Sequence, residues 1–326
     1  MADKLIVSSS PHVMKEESVA VIMWTVTATL IPAGLVGIFV FGPRAFWLIV
    51  VCVLTAVLTE AFIQKGRRVR VTISDGSAVM TGLLLAYNLP AHTPLWIAAI
   101  GSIFAMAIAK HAFGGLGRNI FNPALAARAF LLAAWPKQLT TFTSPFVYDA
   151  VTQATPLAMM KEGKAESLAD MGLSYMDLFI GNRGGCVGEV CVLALILGGI
   201  YLLYKKLISW HTPVYFIGTV AVMTWIFAGK EQGFFRGDAL FHLLSGGLML
   251  GAIYMATDYV TSPITRQGQV VYAVGCGFVT SVIRIWGGYP EGVCYSILIM
   301  NAAVPMIDRY IRRPRYGTGK MAGESA

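Results

Sequence analysis

Charge is scarce in this 326-residue chain: 13% of its residues are Asp, Glu, Lys or Arg, 56% are hydrophobic, and mean hydropathy is +0.66. That balance lies far outside the range of a soluble globular domain and specifies an integral membrane protein, with lipid as its surroundings. Cysteine is little used. Cys52, Cys186, Cys191, Cys276 and Cys294 are odd in number, sit mostly in apolar runs, and show neither a zinc spacing nor an iron–sulfur run, so no metal site is expected. The glycine fingerprint of a dinucleotide-binding strand–helix unit is also missing. The first nineteen residues include Lys4, His12, Lys15, Glu16 and Glu17 and no apolar core before a small-residue site, so no cleavable signal peptide is expected. A net charge of +8 would suggest nucleic acid in a soluble protein. Here it reads as loop topology, with no nucleic-acid partner.

What the sequence does have is apolar runs near the roughly 20 residues that cross a bilayer. Ten are predicted: 20–41, 45–62, 75–90, 95–110, a shorter one ending at Trp135-Pro136, then 189–204, 213–228, 242–257, 270–286 and 292–308. The predicted organisation is an N-terminal segment 1–19, a five-helix unit 20–136, a loop 137–187, a second five-helix unit 188–308 and a basic tail 309–326. Lys and Arg gather in cytoplasmic loops. With a cytoplasmic N-terminus, sixteen basic residues at or beyond the span ends fall on that side, Lys110 among them, and seven on the other, Arg183 among them. This places both termini in the cytoplasm and the 137–187 loop outside.

The halves echo each other. Phe113-Gly114-Gly115-Leu116 before Asn122 is paired with Trp286-Gly287-Gly288-Tyr289 before Asn301, and Met80-x-Gly82 before Ala86 with Met249-x-Gly251 before Ala256. Five spans per half give repeats of inverted orientation, an all-α arrangement that puts sites in broken helices near the midplane.

Two stretches carry candidate chemistry. Gly114-Gly115-Leu116-Gly117-Arg118-Asn119-Ile120-Phe121-Asn122-Pro123 is rich in glycine and amides, and irregular backbone at membrane depth is tolerated only where protein or a polar cavity satisfies it. Asn119 and Asn122, one turn apart if helical, would offer donors and acceptors to a heterocycle edge. A capped helix start with Pro123 in its first turn explains the same residues. The second stretch, Asp149-Ala150-Val151-Thr152-Gln153-Ala154-Thr155-Pro156, is a hydroxyl-bearing run in the long loop. Read locally, Thr155 is a helix cap followed by proline.

This second run resembles the Asp-x-x-Ser/Thr-x-Ala-Thr flavin-attachment pattern of the membrane subunits of Rnf and Na+-translocating NADH:quinone reductase complexes. Gly-Gly-Leu-Gly-x-Asn-x-Phe-Asn-Pro-Ala, Asp75-Gly76-Ser77, Ala256-Thr257-Asp258, Thr261-Ser262-Pro263 and Pro290-Glu291-Gly292 extend the resemblance over most of the chain, toward the D-subunit family of Rnf electron-transport complexes. One departure is Gln153, where glycine is usual. The resemblance implies FMN held by Thr155 as a phosphoester, with Asp149 and Thr152 in the attachment motif, and a riboflavin near Asn119 and Asn122. An aliphatic hydroxyl is a poor nucleophile, so a separate flavin transferase would load it. It also implies a subunit of an ion-translocating ferredoxin:NAD oxidoreductase in the inner membrane, not active alone, exchanging electrons through partner subunits (A, B, C, E and G) and moving Na+ or H+. Ionisable groups in the bilayer are costly and often mark ion paths; Asp75, Asp258 and Glu189 are the candidates. The rival readings are a secondary transporter or channel with inverted repeats and no redox role, and a structural anchor for assembly.

Overall fold

A computed structural model describes residues 18–69, 71–146, 152–164, 168–229 and 233–311. Helices dominate; among the described residues two strands, Phe142–Thr143 and Thr152–Gln153, form a small antiparallel hairpin in the long loop. The principal helical segments follow the predicted spans. They are α1 (Val19–Phe41), α2 (Pro43–Gly66), α3 (Ser77–Tyr87), α4 (Leu95–Phe104, continued by a wide π turn Ala105–His111) and α5 (Pro123–Ala134), then α6 (Val192–Tyr204), α7 (His211–Phe227), α8 (Leu248–Leu250, continued by a wide turn Gly251–Met255), α9 (Arg266–Ile285) and α10 (Val293–Tyr310). Among the described residues, only α1, α2 and α9 are both long and apolar enough to cross a bilayer unaided. Exposed Phe39, Leu58, Phe62 and Leu197 on α1, α2 and α6 suit a lipid-facing surface.

The shortest segments are broken by their sequence. Asp75 accepts from the Ser77 N–H and hydroxyl (2.8 and 2.7 Å), and Gly76 in the left-handed region turns the chain into α3. After eleven residues, α3 stops at Asn88. At roughly 1.5 Å per residue, that carries the chain about half way across a ~30 Å hydrocarbon layer. α8 is preceded by a one-and-a-half-turn helix, Ala239–Leu244, and separated from it by Ser245-Gly246-Gly247.

Contacts sort the connections onto two faces. The Trp24 indole donates to the Ser74 carbonyl, the Ile264 N–H to Asp308 and the Tyr259 hydroxyl to Leu207 O, and Met23, Ser77, Leu116, Asn119 and Val260 line one cleft; residues 71–76, 112–122, 205–210, 257–265 and the end of α10 therefore share a basic face. Phe146 pairs with Val40, Trp96 stacks edge-on against Trp135, and Lys161 reaches Ile283 and Tyr289; the described parts of the 137–191 loop and 286–292 therefore share the opposite, hairpin face. α3 starts at the basic face, whereas its counterpart α8 starts toward the hairpin face, as inverted repeats require. α1 packs along α6 and α5 against α10, bringing like segments of the halves together.

Small residues set this packing. Tyr87 donates to the Leu30 carbonyl (2.8 Å), and a Cβ on Gly34 or Gly188 would collide with its ring or hydroxyl. Tyr254 donates to the Leu195 carbonyl (3.3 Å), and its hydroxyl fills the space where a Gly198 Cβ would stand.

The internal repeat is partly other than the sequence pairing. The glycine pairs and the Met-x-Gly pairs occupy like places. Gly82 lies four residues before Ala86 and Gly251 five before Ala256, and the additional residue is absorbed by the wide turn, where the Ala256 N–H bonds to Gly251 O. Asn122 and Asn301 are not equivalent: Asn122 caps the start of α5, and Asn301 lies in the middle of α10.

Candidate functional site

The cleft on the basic face is built between α1, α3, the start of α5 and the segment that follows α8. Its lining includes Ser77, Thr81, Lys110, Asn119, Asn122 and Asp258, and its cavity of about 50 Å³ has room for a few water molecules. The 119–122 segment is not helical, yet it brings Asn119 and Asn122 to the same cleft. The Asn122 side chain is engaged at both its oxygen and its nitrogen. Its carbonyl oxygen accepts from the Ala124 and Leu125 N–H groups (3.1 and 3.4 Å), and its amide donates to the Met255 carbonyl (3.3 Å). Asn301, with its amide turned to satisfy its neighbours, accepts from the Asn122 N–H at 3.1 Å. Asn122 thus caps α5 and ties it to α8 and α10. The buried Asn119 donates to Phe121 O (3.2 Å).

Asp258 closes the cleft just beyond α8. Thr261 and the Val260 N–H donate to it, while burial pushes its carboxyl above the ordinary range. Asp75, at the edge of the same face, is a capping residue for α3. Its partner Ser77 also accepts from Lys110 Nζ (2.7 Å), which donates to Glu60 at 2.8 Å. Lys110 and Glu60 are both 1% exposed. Lys110, counted as a loop cation from sequence, is a buried partner at the wide end of α4, with His111 3.3 Å from the same carboxylate.

Glu189 does not open α6, which starts at Val192 with Cys191 as its cap. Residues 186–189 instead dip inward, the Val187 and Gly188 N–H groups bonding to Leu89 O and Tyr87 O. Glu189, 2% exposed, is thereby held against Arg128 of α5 at 2.9 Å. The same guanidinium donates to Asn88 Oδ1 (2.6 Å) and Glu291 (2.5 Å) and approaches Cys186 Sγ (3.7 Å). Arg183, a buried residue despite its loop position, donates to Glu189 O, and Arg284 donates to His242 O and Ser245 O. Sequence reasoning singles out Glu189 but not Glu291. The signal available was the Pro290-Glu291-Gly292 turn at the start of a span.

Thr155 stands on the hairpin face as the cap of the short helix Pro156–Lys161, accepting from the Ala158 N–H at 3.3 Å, with proline in the first position. The residue is 4% exposed. Lys161 anchors this helix by donating to Ile283 O and Tyr289 O (2.9 and 2.8 Å). Asp149 lies outside the described residues, and Thr152 pairs through its backbone with Thr143. The five cysteines are all free and buried.

Residues 6–317 match the NQR2, RnfD, RnfE family. The chain is 50% identical over 318 residues to the D subunit of the proton-translocating ferredoxin:NAD(+) oxidoreductase complex of Clostridium ljungdahlii, covering 96% of each chain. It is 49% identical over 323 residues to the D subunit of the Na(+)-translocating ferredoxin:NAD(+) oxidoreductase complex of Acetobacterium woodii, covering 98% of each. The D subunit of an ion-translocating oxidoreductase complex of Stutzerimonas stutzeri is 38% identical over 333 residues, covering 93% of this chain and 94% of that one. With broken helices, the glycine–asparagine run and near-complete coverage all in agreement, this membrane-embedded chain belongs to the NQR2, RnfD, RnfE family.

Proposed function

We propose that the chain is a membrane flavoprotein subunit of an ion-translocating ferredoxin:NAD oxidoreductase complex, with FMN esterified to Thr155 and electron transfer coupled to movement of Na+ or H+. The observation that carries this is near-complete coverage by relatives named as the D subunits of such complexes, in a chain holding the attachment run at 149–155. Two relatives of nearly equal identity are named for different ions, so the ion is left as Na+ or H+.

The chain's own residues fit the flavin in chemistry. A phosphoester at Thr155 keeps the oxygen's acceptor lone pairs, so the cap bond from Ala158 can persist, and negative charge at the first turn of a helix is favourable. The enclosure of the hydroxyl means that loading requires the hairpin to open to a transferase. Bound FMN would supply one-electron chemistry, and the protein would position it. Lys161 holds the carrier helix on the α9–α10 turn and so fixes where the flavin sits. For a riboflavin, Asn119 is the better of the two amides, because Asn122 is occupied in joining helices, and the cleft of about 50 Å³ would have to widen around Asn119 to admit the ring. The basic face is cytoplasmic and the hairpin face outside, in the inner membrane; electrons pass through the other members of the complex. Asp258, with its carboxyl in the cleft, is a stronger ion-path candidate than Asp75, which caps α3.

The test is ultraviolet fluorescence of the denatured band from a host containing the transferase. A fluorescent wild type and a dark Thr155→Ala band are expected. A dark wild type would move the assignment to a transporter without redox role.

A further inference from the structure

The Arg128 guanidinium is surrounded as a bound cation would be. Four acceptors from three separate segments converge on it: Asn88 Oδ1 at 2.6 Å from the end of α3, Glu189 Oε1 at 2.9 Å and Cys186 Sγ at 3.7 Å from the inward-dipping segment, and Glu291 Oε2 at 2.5 Å from the α9–α10 turn. The ligand atoms of Cys186, Glu189 and Glu291 lie within 4.8 Å of one another. α3 ends here, about half way through the membrane, and the C-terminal end of a half-helix adds negative potential of the kind that coordinates monovalent cations in broken-helix proteins. A second observation points the same way. Glu189 is 2% exposed, and its other oxygen, Oε2, has no hydrogen-bond partner among the described residues. Gly247, at the break before α8, leaves the space beside both carboxylate oxygens; a Cβ there would collide with Oε1.

The remaining charges decide the class of ligand. Arg183 and Arg284 stand behind the acceptors, holding Glu189 O and the Ser245 and His242 carbonyls. With three arginines against two carboxylates, putting a divalent ion in place of the Arg128 guanidinium would deepen an existing excess of positive charge by one. Exchange of one monovalent cation for the guanidinium leaves the total charge unchanged.

We propose that Asn88, Glu189 and Glu291 supply the oxygens of a monovalent-cation site at the junction of the two half-helices, beside the Cys186 thiol, and that Arg128 plugs this site in this conformation. The guanidinium and a small cation compete for the same acceptors. Arg128 belongs to the first half and Glu291 to the second, so occupancy by a free cation releases a tie between the halves, and return of Arg128 restores it. The purpose of such an exchange rests on the reading of the chain as part of ion-moving machinery; the binding does not.

The experiment uses the purified full chain in detergent, with thermal unfolding followed in NaCl, LiCl, KCl and choline chloride at constant ionic strength. Wild type is expected to respond equally to all four, because its own side chain fills the site. Arg128→Ala is expected to gain a saturable rise of several degrees in unfolding midpoint in at least one of the three metal salts over choline, and Glu189→Gln added to it to abolish that rise. Arg128→Met, which keeps the side-chain volume, serves as the second variant. Recovery of folded variant only in a metal salt would also support the site. The proposal falls if either folded variant is indifferent to the cation, if the rise survives Glu189→Gln, or if neither variant folds in any of the salts. Repeating the series in a Thr155→Ala background separates this result from the flavin assignment, since the cation response should be unchanged there.

Discussion

Two buried charge clusters sit at opposite ends of the half-helices, and they are wired differently. On the basic face, Glu60, Lys110 and Ser77 come from α2, α4 and α3, all in the first half, and the cluster staples one repeat to itself. In the interior, Arg128 joins α5 to the linking segment and to the α9–α10 turn, crossing between halves. A staple within one unit serves its stability. A tie between units registers any movement of one against the other.

The largest effect should come from breaking the staple. Glu60→Ala leaves the Lys110 ammonium buried without its carboxylate, and loss of one partner of a buried pair costs about 3–5 kcal/mol. Thermal unfolding in detergent should show a severe loss, and the apolar pair Glu60→Leu with Lys110→Met should recover most of it. If the single variant is as stable as wild type, the two clusters do not differ in the way described. Glu291→Gln is expected to be milder, about 1–3 kcal/mol, because an amide oxygen can still accept from Arg128. Its distinguishing sign should be faster reaction of Cys186 with a small thiol reagent, while Cys52, buried within the first half on α2, stays protected. Equal protection of Cys186 in variant and wild type would argue that the tie does not hold the halves. Thr155→Ser should keep both the cap and the flavin. Thr155→Ala should lose the flavin and about 1 kcal/mol of local stability, read as faster hydrogen exchange in 156–161.

The smallest effect lies outside both clusters, at Asp177. Its hydrogen bonds with the Ser174 hydroxyl and N–H hold its carboxyl below the ordinary range. The folded value is the lower one, so the stabilisation is present above the ordinary aspartate range and is lost as pH falls through the folded value. Protection factors in 174–182, which correct for the intrinsic slowing of exchange in acid, should fall as pH falls, and Asp177→Asn should remove that dependence.

The bilayer segments were legible because apolar length is a local property, and the residues predicted as spans contain all ten principal helical segments, apart from a few residues at their ends. The polar stretches around 155 and 119–122 were equally plain as interruptions of those runs. What the sequence could not convey was partnership over long separations. Lys110 and Arg183 looked like loop cations contributing to topology, and both are buried; Arg128 is separated from Glu291 by 163 positions. Glu189 looked like the first residue of a span, because nothing local says that 186–189 turns inward to follow Tyr87. Asn301 was matched to Asn122 by identity alone, although one lies within a helix and the other begins one.

The wide turn in α4 makes chain length itself informative. Ala105–His111 winds more loosely than the helix before it, by about one residue. Deleting Ala107 would let the segment rewind as ordinary α-helix, and because the wide turn takes up about one residue, Lys110 would keep roughly its direction toward Glu60. Deleting a residue inside Leu95–Phe104, with the wide turn kept, would instead turn Lys110 by roughly 100° relative to the residues before the deletion. No side chain in the Glu60 pair changes in either case, yet only the second breaks it. An inventory of substitutions would pass over this difference, while a scan of single-residue deletions would locate it at once.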